Sequence, residues 1–190
     1  CDQISDKILD TALSQDKTSK MAVECTIKDN LIFIYGEATT KAKISYGKIA
    51  KQVLKEIGYE EEYEVITKIS KQSKEISNAV NREKITAGDQ GIMFGYATNE
   101  TKELMPLPIL LANKITQKLS EVRKKDKNSI LLPDGKSQIT VEYEDDIPKR
   151  IDTIIVSSSH KKDVSLNTLK KYIKEEIIKK VIPKNYLDSN

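Results

Sequence analysis

Apolar residues recur at helical spacing from the start of the chain. Ile4, Ile8, Leu9, Ala12 and Leu13 fall on one face and predict a helix over 2–15. The pattern then shifts to strand-like runs over 21–27 and 31–39. The polar trio Lys28-Asp29-Asn30 between them predicts a hairpin connection. Ile49, Val53, Leu54 and Ile57 restore the helical period over 45–57, and Gly58 is placed to stop that helix. Strand character returns at 63–70.

From 73 to 86 the chain is polar and weakly periodic, which predicts a mobile loop of the kind used as a lid. That stretch also divides the chain into expected domains 1–80 and 81–190. Residues 90–97 read as a strand. Pro108 suits a helix N-terminus, and Leu111, Ile115, Leu119 and Val122 follow at near-heptad spacing. A loop is expected at 132–136. An alternating strand with Ile139, Val141 and Tyr143 on one side comes next, then a second strand over 150–157. The last helix is expected from about 165 to 181, with Leu166, Leu169, Ile173, Ile177 and Val181 on one stripe and Pro183 ending it. The fold class these elements predict is α+β: two similar domains of small, mainly antiparallel sheets covered by helices on one face.

Composition narrows the class without changing that picture. The 190 residues are 38% hydrophobic and 32% charged, as expected of a folded soluble protein. No apolar run approaches the roughly 18 residues that cross a bilayer, so no membrane partner is expected. The 32 basic and 29 acidic residues give a net charge of +3, and aromatics are 5% with no tryptophan. Neither the charge nor the aromatic content suits a nucleic-acid binder. Cys1 and Cys25 make no metal spacing and predict two reduced thiols in a cytosolic protein. The chain opens without a methionine or a signal-peptide pattern, so its numbering is expected to begin inside a longer protein.

Familiar nucleotide signatures are missing: there is neither a G-x-x-x-x-G-K-S/T loop nor a strand–G-x-G-x-x-G–helix unit. The single histidine, His160, follows Ser157-Ser158-Ser159, but no orienting carboxylate is indicated, and a surface histidine is the expectation. Gly88, Gly91 and Gly95 frame Asp89-Gln90. Glycine lets backbone approach a ligand closely, although the spacing alone favours a mere turn entering a strand.

Residues 86–101, Thr-Ala-Gly-Asp-Gln-Gly-Ile-Met-Phe-Gly-Tyr-Ala-Thr-Asn-Glu-Thr, resemble the signature of the S-adenosylmethionine synthetases, with Thr86 where the family usually has glycine. Collinear matches flank it. They are Asp2-Gln3-Ile4-Ser5-Asp6, Tyr35-Gly36-Glu37-Ala38-Thr39-Thr40, Lys71-Gln72-Ser73, Met105-Pro106-Leu107-Pro108-Ile109, Pro133-Asp134-Gly135-Lys136-Ser137-Gln138 and Val181-Ile182-Pro183-Lys184-Asn185-Tyr186-Leu187.

The resemblance implies an enzyme joining ATP and L-methionine, with release of phosphate and pyrophosphate. It implies magnesium and potassium as cofactors, a cytoplasmic location, and a homodimer or tetramer with active sites between subunits. Carried over by position, Glu37, Gln72 and Asp89 resemble methionine-binding residues, Asp89 also lying near the ribose. Asp134, Gly135 and Lys136 fall where the family contacts ATP, with Lys136 placed to act on the phosphates as the catalytic residue of the set. Glu24 resembles the acidic residue associated with potassium. Without the resemblance, Glu24 and Glu37 are ordinary strand carboxylates and Lys136 an ordinary loop lysine. The family's Gly-His-Pro-Asp-Lys motif, with its phosphate histidine and magnesium aspartate, is expected upstream of this chain, and its glycine-rich phosphate loop downstream. These 190 residues alone are therefore expected to be inactive. The alternative is a non-catalytic truncated homologue that binds or regulates a complete synthetase.

Overall fold

The computed structural model describes residues 1–73, 90–126 and 128–187. The chain is α+β and forms two compact units, Cys1–Ile92 and Met93–Asn190. In the first unit, α1 (Asp2–Gln15) buries Ile4, Ile8 and Ala12, which stack one turn apart. It stops at Asp16, whose backbone is extended. The Asp16 carboxylate accepts hydrogen bonds from Thr18 N (3.0 Å), Thr18 Oγ1 (2.6 Å) and Lys41 N (2.9 Å). The end of α1 is thereby tied to the chain that leaves β2.

Strands β1 (Lys20–Lys28) and β2 (Leu31–Thr39) pair antiparallel through a two-residue turn, with Asp29 at φ 52°. Aspartate tolerates that left-handed conformation because its short side chain can bond locally. Helix α2 (Tyr46–Ile57) then carries the chain across, and β3 (Glu64–Ser70) adds parallel to β2, giving the order β1-β2-β3. A parallel return requires such a crossover, whereas the hairpin does not. Gly58, at φ 110°, ends α2 with its N–H bonded to the Leu54 and Lys55 carbonyls. The Glu64 amide bonds the Asn30 carbonyl at 2.9 Å, so β3 starts beside the hairpin turn. Val23, Cys25, Ile32 and Ile34 on one sheet face pack with Ile4 and Ile8 of α1 and with Ala50, Val53 and Leu54 of α2. Burial of each large side chain there contributes roughly 1.5–3 kcal/mol.

In the second unit, α3 (Leu107–Lys125) follows Pro106 and buries Leu107, Leu111, Ile115 and Leu119. Strands β4 (Leu131–Glu144) and β5 (Ile147–His160) form a long two-stranded antiparallel sheet. Asp145 and Asp146 turn it at φ 50° and 60°, the paired left-handed conformation that suits the twist of a tight hairpin. Helix α4 (Leu166–Tyr172) is capped by Ser165 Oγ, which accepts from Thr168 N, and runs on through a π-helical turn (Ile173–Ile178) into a last turn at Lys179–Val181. Leu169, Ile173, Ile177 and Ile182 join α3, Leu131, Ile139 and Ile151 in one core.

Four details depart from the sequence expectations. Residues 90–97 form no strand, and Phe94 is 93% exposed. Apolar residues make a strand only where a partner strand takes their backbone groups, and none of the described strands pairs there. Residues 132–136, expected as a loop, lie within β4 as an irregular stretch of strand. Leu166 is exposed rather than core, while Ile182 is buried. Ile182 follows the last helical turn with extended backbone, its amide bonded to the Ile178 carbonyl at 2.9 Å, so it does not continue the helical stripe. The third strand of the first sheet is parallel to its neighbour. Of the expected loop over 73–86, residues 74–86 lie outside the described residues.

Hydrogen bonds from the Thr18 hydroxyl, the largest cause, and from the Lys41 and Thr18 amides hold the Asp16 carboxyl at a pKa of about 2, below the ordinary 3.8. The charged form therefore favours the folded chain. Its contribution is complete above about pH 4 and is lost as pH falls toward 2. In thermal melts from pH 5 down to 2, Asp16→Asn should flatten the acid branch of Tm against pH in that window. An unchanged slope would remove Asp16 from the acid response.

Candidate functional site

The first site is the sheet face turned away from α1 and α2. Side chains alternate along each strand, so the register groups residues into rows. Glu24 is paired with Tyr35, and Tyr35 with Lys68; one row along, Ala22 is paired with Glu37, and Glu37 with Ser70. Glu24 and Glu37 therefore share this face at diagonal ladder positions, which in such sheets lie about 7–8 Å apart. Glu24 is exposed and Glu37 half-buried. Gln72 follows β3 by two residues, in phase with Ser70, and is half-buried. Phe33 and Tyr35 stack on the same face, ring centroids 5.2 Å apart and planes 24° from parallel, with Ile66 paired to Phe33. Lys68 was not singled out from the sequence. Only the parallel pairing of β3 brings it into the row of Glu24.

Glu37 owes its position to Gly36. There φ is 134°, and a β-carbon would stand 2.0 Å from the Ala22 carbonyl oxygen. Only glycine lets β2 pass β1 so closely at that angle. The result is a half-buried carboxylate at the edge of an aromatic surface, beside a second carboxylate. Such a surface attracts a ligand that is cationic at one end and apolar at the other.

The second site lies where β4 begins. The β4–β5 register shifts between Leu131 and Gly135, and Asp134 sits in the irregularity at φ 143°. A non-glycine residue there carries strain of roughly 1–3 kcal/mol, and such strain clusters at ligand-binding sites. At Gly135 a β-carbon would stand 3.0 Å from Leu119 Cδ1 of α3, so that side chain would have to give by a few tenths of an ångström. Lys136 is exposed and pairs with Ser157. Immediately after it, Ser137 Oγ donates to the Ala112 carbonyl at 2.7 Å, pinning this part of β4 to α3. Asp134, Gly135 and Lys136 are thus gathered on a strained, anchored stretch. Lys136 presents a cation suited to phosphate oxygens.

His160 Nδ1 lies 2.9 Å from the Lys161 carbonyl oxygen, and the Ser158 hydroxyl donates to the Ser159 carbonyl. Both are thus engaged with backbone, which gives no support to a serine–histidine nucleophile. A bond invisible to periodicity joins Tyr143 Oη to Glu100 Oε2 at 2.7 Å across 43 residues. Burial, then the Glu100 carboxylate, pushes the Tyr143 hydroxyl up to about 12, so it stays a donor. Asp89 lies outside the described residues. Among the described residues, no three His, Cys, Asp or Glu side chains gather to hold a metal ion. Glu24 supplies a single carboxylate, whereas hard cations of this kind are held by several oxygens. The described residues therefore do not by themselves fit a magnesium or potassium site.

The family described as S-adenosylmethionine synthetase, N-terminal domain, matches residues 1–84, and S-adenosylmethionine synthetase, central domain, matches 84–190. The chain is 42% identical to an S-adenosylmethionine synthase of Clostridium botulinum, strain Alaska E43 / Type E3, over 100% of this chain and 54% of that protein. It is 46% identical to an S-adenosylmethionine synthase of Syntrophobacter fumaroxidans, strain DSM 10017 / MPOB, over 98% of this chain and 51% of that protein. The chain thus spans about half the length of the curated relatives it matches.

Two substitutions test the backbone at these sites. Gly36→Ala should cost roughly 2–4 kcal/mol in chemical denaturation, since both φ and the Ala22 carbonyl oppose a methyl group. Asp134→Gly should raise stability by roughly 1 kcal/mol relative to Asp134→Ala, because only glycine relieves the φ of 143°. Equal stability of the two Asp134 variants would show the backbone there to be unstrained.

Proposed function

Since the chain belongs to the S-adenosylmethionine synthetase family, a family of enzymes, we propose that it forms the methionine and ATP walls of a methionine adenosyltransferase site. What carries this reading is the order of the matches: two domains of one family cover residues 1–190 end to end.

In the proposed reaction, the thioether sulfur of methionine displaces tripolyphosphate from the ribose C5′ of ATP, and the tripolyphosphate is then cleaved to phosphate and pyrophosphate. A thioether has no proton to lose, so the displacement asks for alignment and charge stabilisation rather than a general base. Glu37 would hold the methionine ammonium, with Gln72 beside it and Asp89 toward the sulfur and ribose. Carboxylates on that side favour the sulfonium as its charge develops. Lys136, set by Asp134 and Gly135, would meet phosphate oxygens and stabilise the leaving group. Glu24 would contribute one oxygen ligand to potassium. Magnesium would need ligands other than the described residues, and no step is assigned to either ion. A homodimer or tetramer with shared sites, and a cytoplasmic location, belong to the same reading. Among the described residues no helix is long and apolar enough to cross a membrane.

The test uses the longest natural protein that carries this sequence, supplied with ATP, methionine, magnesium and potassium. Lys136→Ala should lower kcat by about 10²–10³. Glu37→Gln should raise the KM for methionine at least about tenfold, with the melting curve unchanged. No S-adenosylmethionine from the unmodified protein would overturn the enzyme reading. If that inactive protein co-eluted with a complete synthetase in size exclusion, the role would be that of a binding subunit.

A further inference from the structure

Helix α2 ends at Gly58, and the chain doubles back along its last turn, with the Tyr59 amide bonded to the Leu54 carbonyl at 3.0 Å. The Glu64 amide, bonded to the Asn30 carbonyl, fixes the other end of this short loop. Between loop and helix lies a cavity of about 340 Å³, at the small end of the range for ligand pockets. Leu54, buried in the core, and the half-buried rings of Tyr59 and Tyr63 line its apolar part. Lys51 and Lys55, one turn apart on α2 and both exposed, line the helix side. Glu60, Glu61 and Glu62 line the loop side. Among the described residues no ion pair joins these lysines to these glutamates, so the two sides do not neutralise each other. The Tyr63 hydroxyl lies 3.5 Å from Glu61 Oε2. Burial, then the Glu61 carboxylate and Tyr59, pushes its pKa up, so it keeps its proton near neutral pH.

A simple cation in this cavity would be attracted by the glutamates and repelled by the lysines, and a simple anion the reverse. A ligand carrying both charges meets attraction on each side, and an aromatic body suits the surface of Leu54 and the two tyrosines. We propose that the cavity binds a free aromatic amino acid. Its carboxylate faces Lys51 and Lys55, its ammonium faces the glutamates, and its ring lies against Leu54, Tyr59 and Tyr63. Helix α2 covers the sheet face opposite to that of Glu24 and Glu37, so this site is separate from the methionine wall and does not rest on it.

The experiment uses the longest natural protein that carries this sequence and follows para-fluorophenylalanine by fluorine NMR. The ligand line should broaden with protein present and sharpen again when unlabelled L-phenylalanine displaces it. Phenylalaninamide, which lacks the carboxylate, and N-acetylphenylalanine, which lacks the ammonium, should each displace it at least about tenfold less effectively. Two double variants, Lys51→Ala with Lys55→Ala and Glu61→Gln with Glu62→Gln, should weaken binding by at least about the same factor. These side chains are exposed, so the melting curves should not change. Glu37→Gln should leave binding as it was. Three results would each overturn the proposal: no reversible broadening, equal displacement by either singly charged analogue, or loss of binding in Glu37→Gln with both double variants unaffected.

Discussion

Where Gly36 passes Ala22, β1 and β2 run closer than any side chain allows, and much of the first unit depends on that approach. A β-carbon at Gly36 would fall 2.0 Å from the Ala22 carbonyl oxygen. A methyl group there would push the strands apart or shift the ladder. In a sheet a shift of one residue turns every side chain to the other face. Ile32 and Ile34 would then leave the core, and Glu37 would leave the face it shares with Glu24. One glycine thus serves both the packing of the helices and the placing of the carboxylates.

The second unit solves a comparable problem differently. Among the described residues its sheet has two strands, too few to stand alone, and α3 and α4 supply the missing packing. The strained stretch at Asp134 persists because its neighbours are held: Gly135 lies against Leu119, and Ser137 is bonded to the Ala112 carbonyl. Strain of this kind survives only where the surroundings over-determine the backbone. The strain itself falls on Asp134 alone.

Both sites suit chemistry that moves charge without moving a proton at the nucleophile. Neither relies on an activated serine, cysteine or histidine. The first offers carboxylates beside stacked aromatic rings; the second offers a lysine on an anchored strand.

Local pattern was enough to locate α1, α2, α3 and the β1–β2 hairpin, because helical and strand periods are properties of neighbouring residues. Motifs in sequence order were enough for the family, and the resemblance carried over by position singled out Glu24, Glu37, Gln72, Asp89, Asp134, Gly135 and Lys136. What only the tertiary structure decided concerns residues far apart in the chain. The parallel docking of β3 puts Lys68 in line with Glu24, and Tyr143 reaches Glu100 across 43 residues. The apolar run at 90–97 takes no strand partner among the described residues, and Ile182, in extended backbone after the last helical turn, is buried while Leu166 is exposed. Periodicity records which side of an element is apolar. Which backbone pairs with which, and at what phase, is settled by long-range hydrogen bonds and close packing, which no local window of sequence contains.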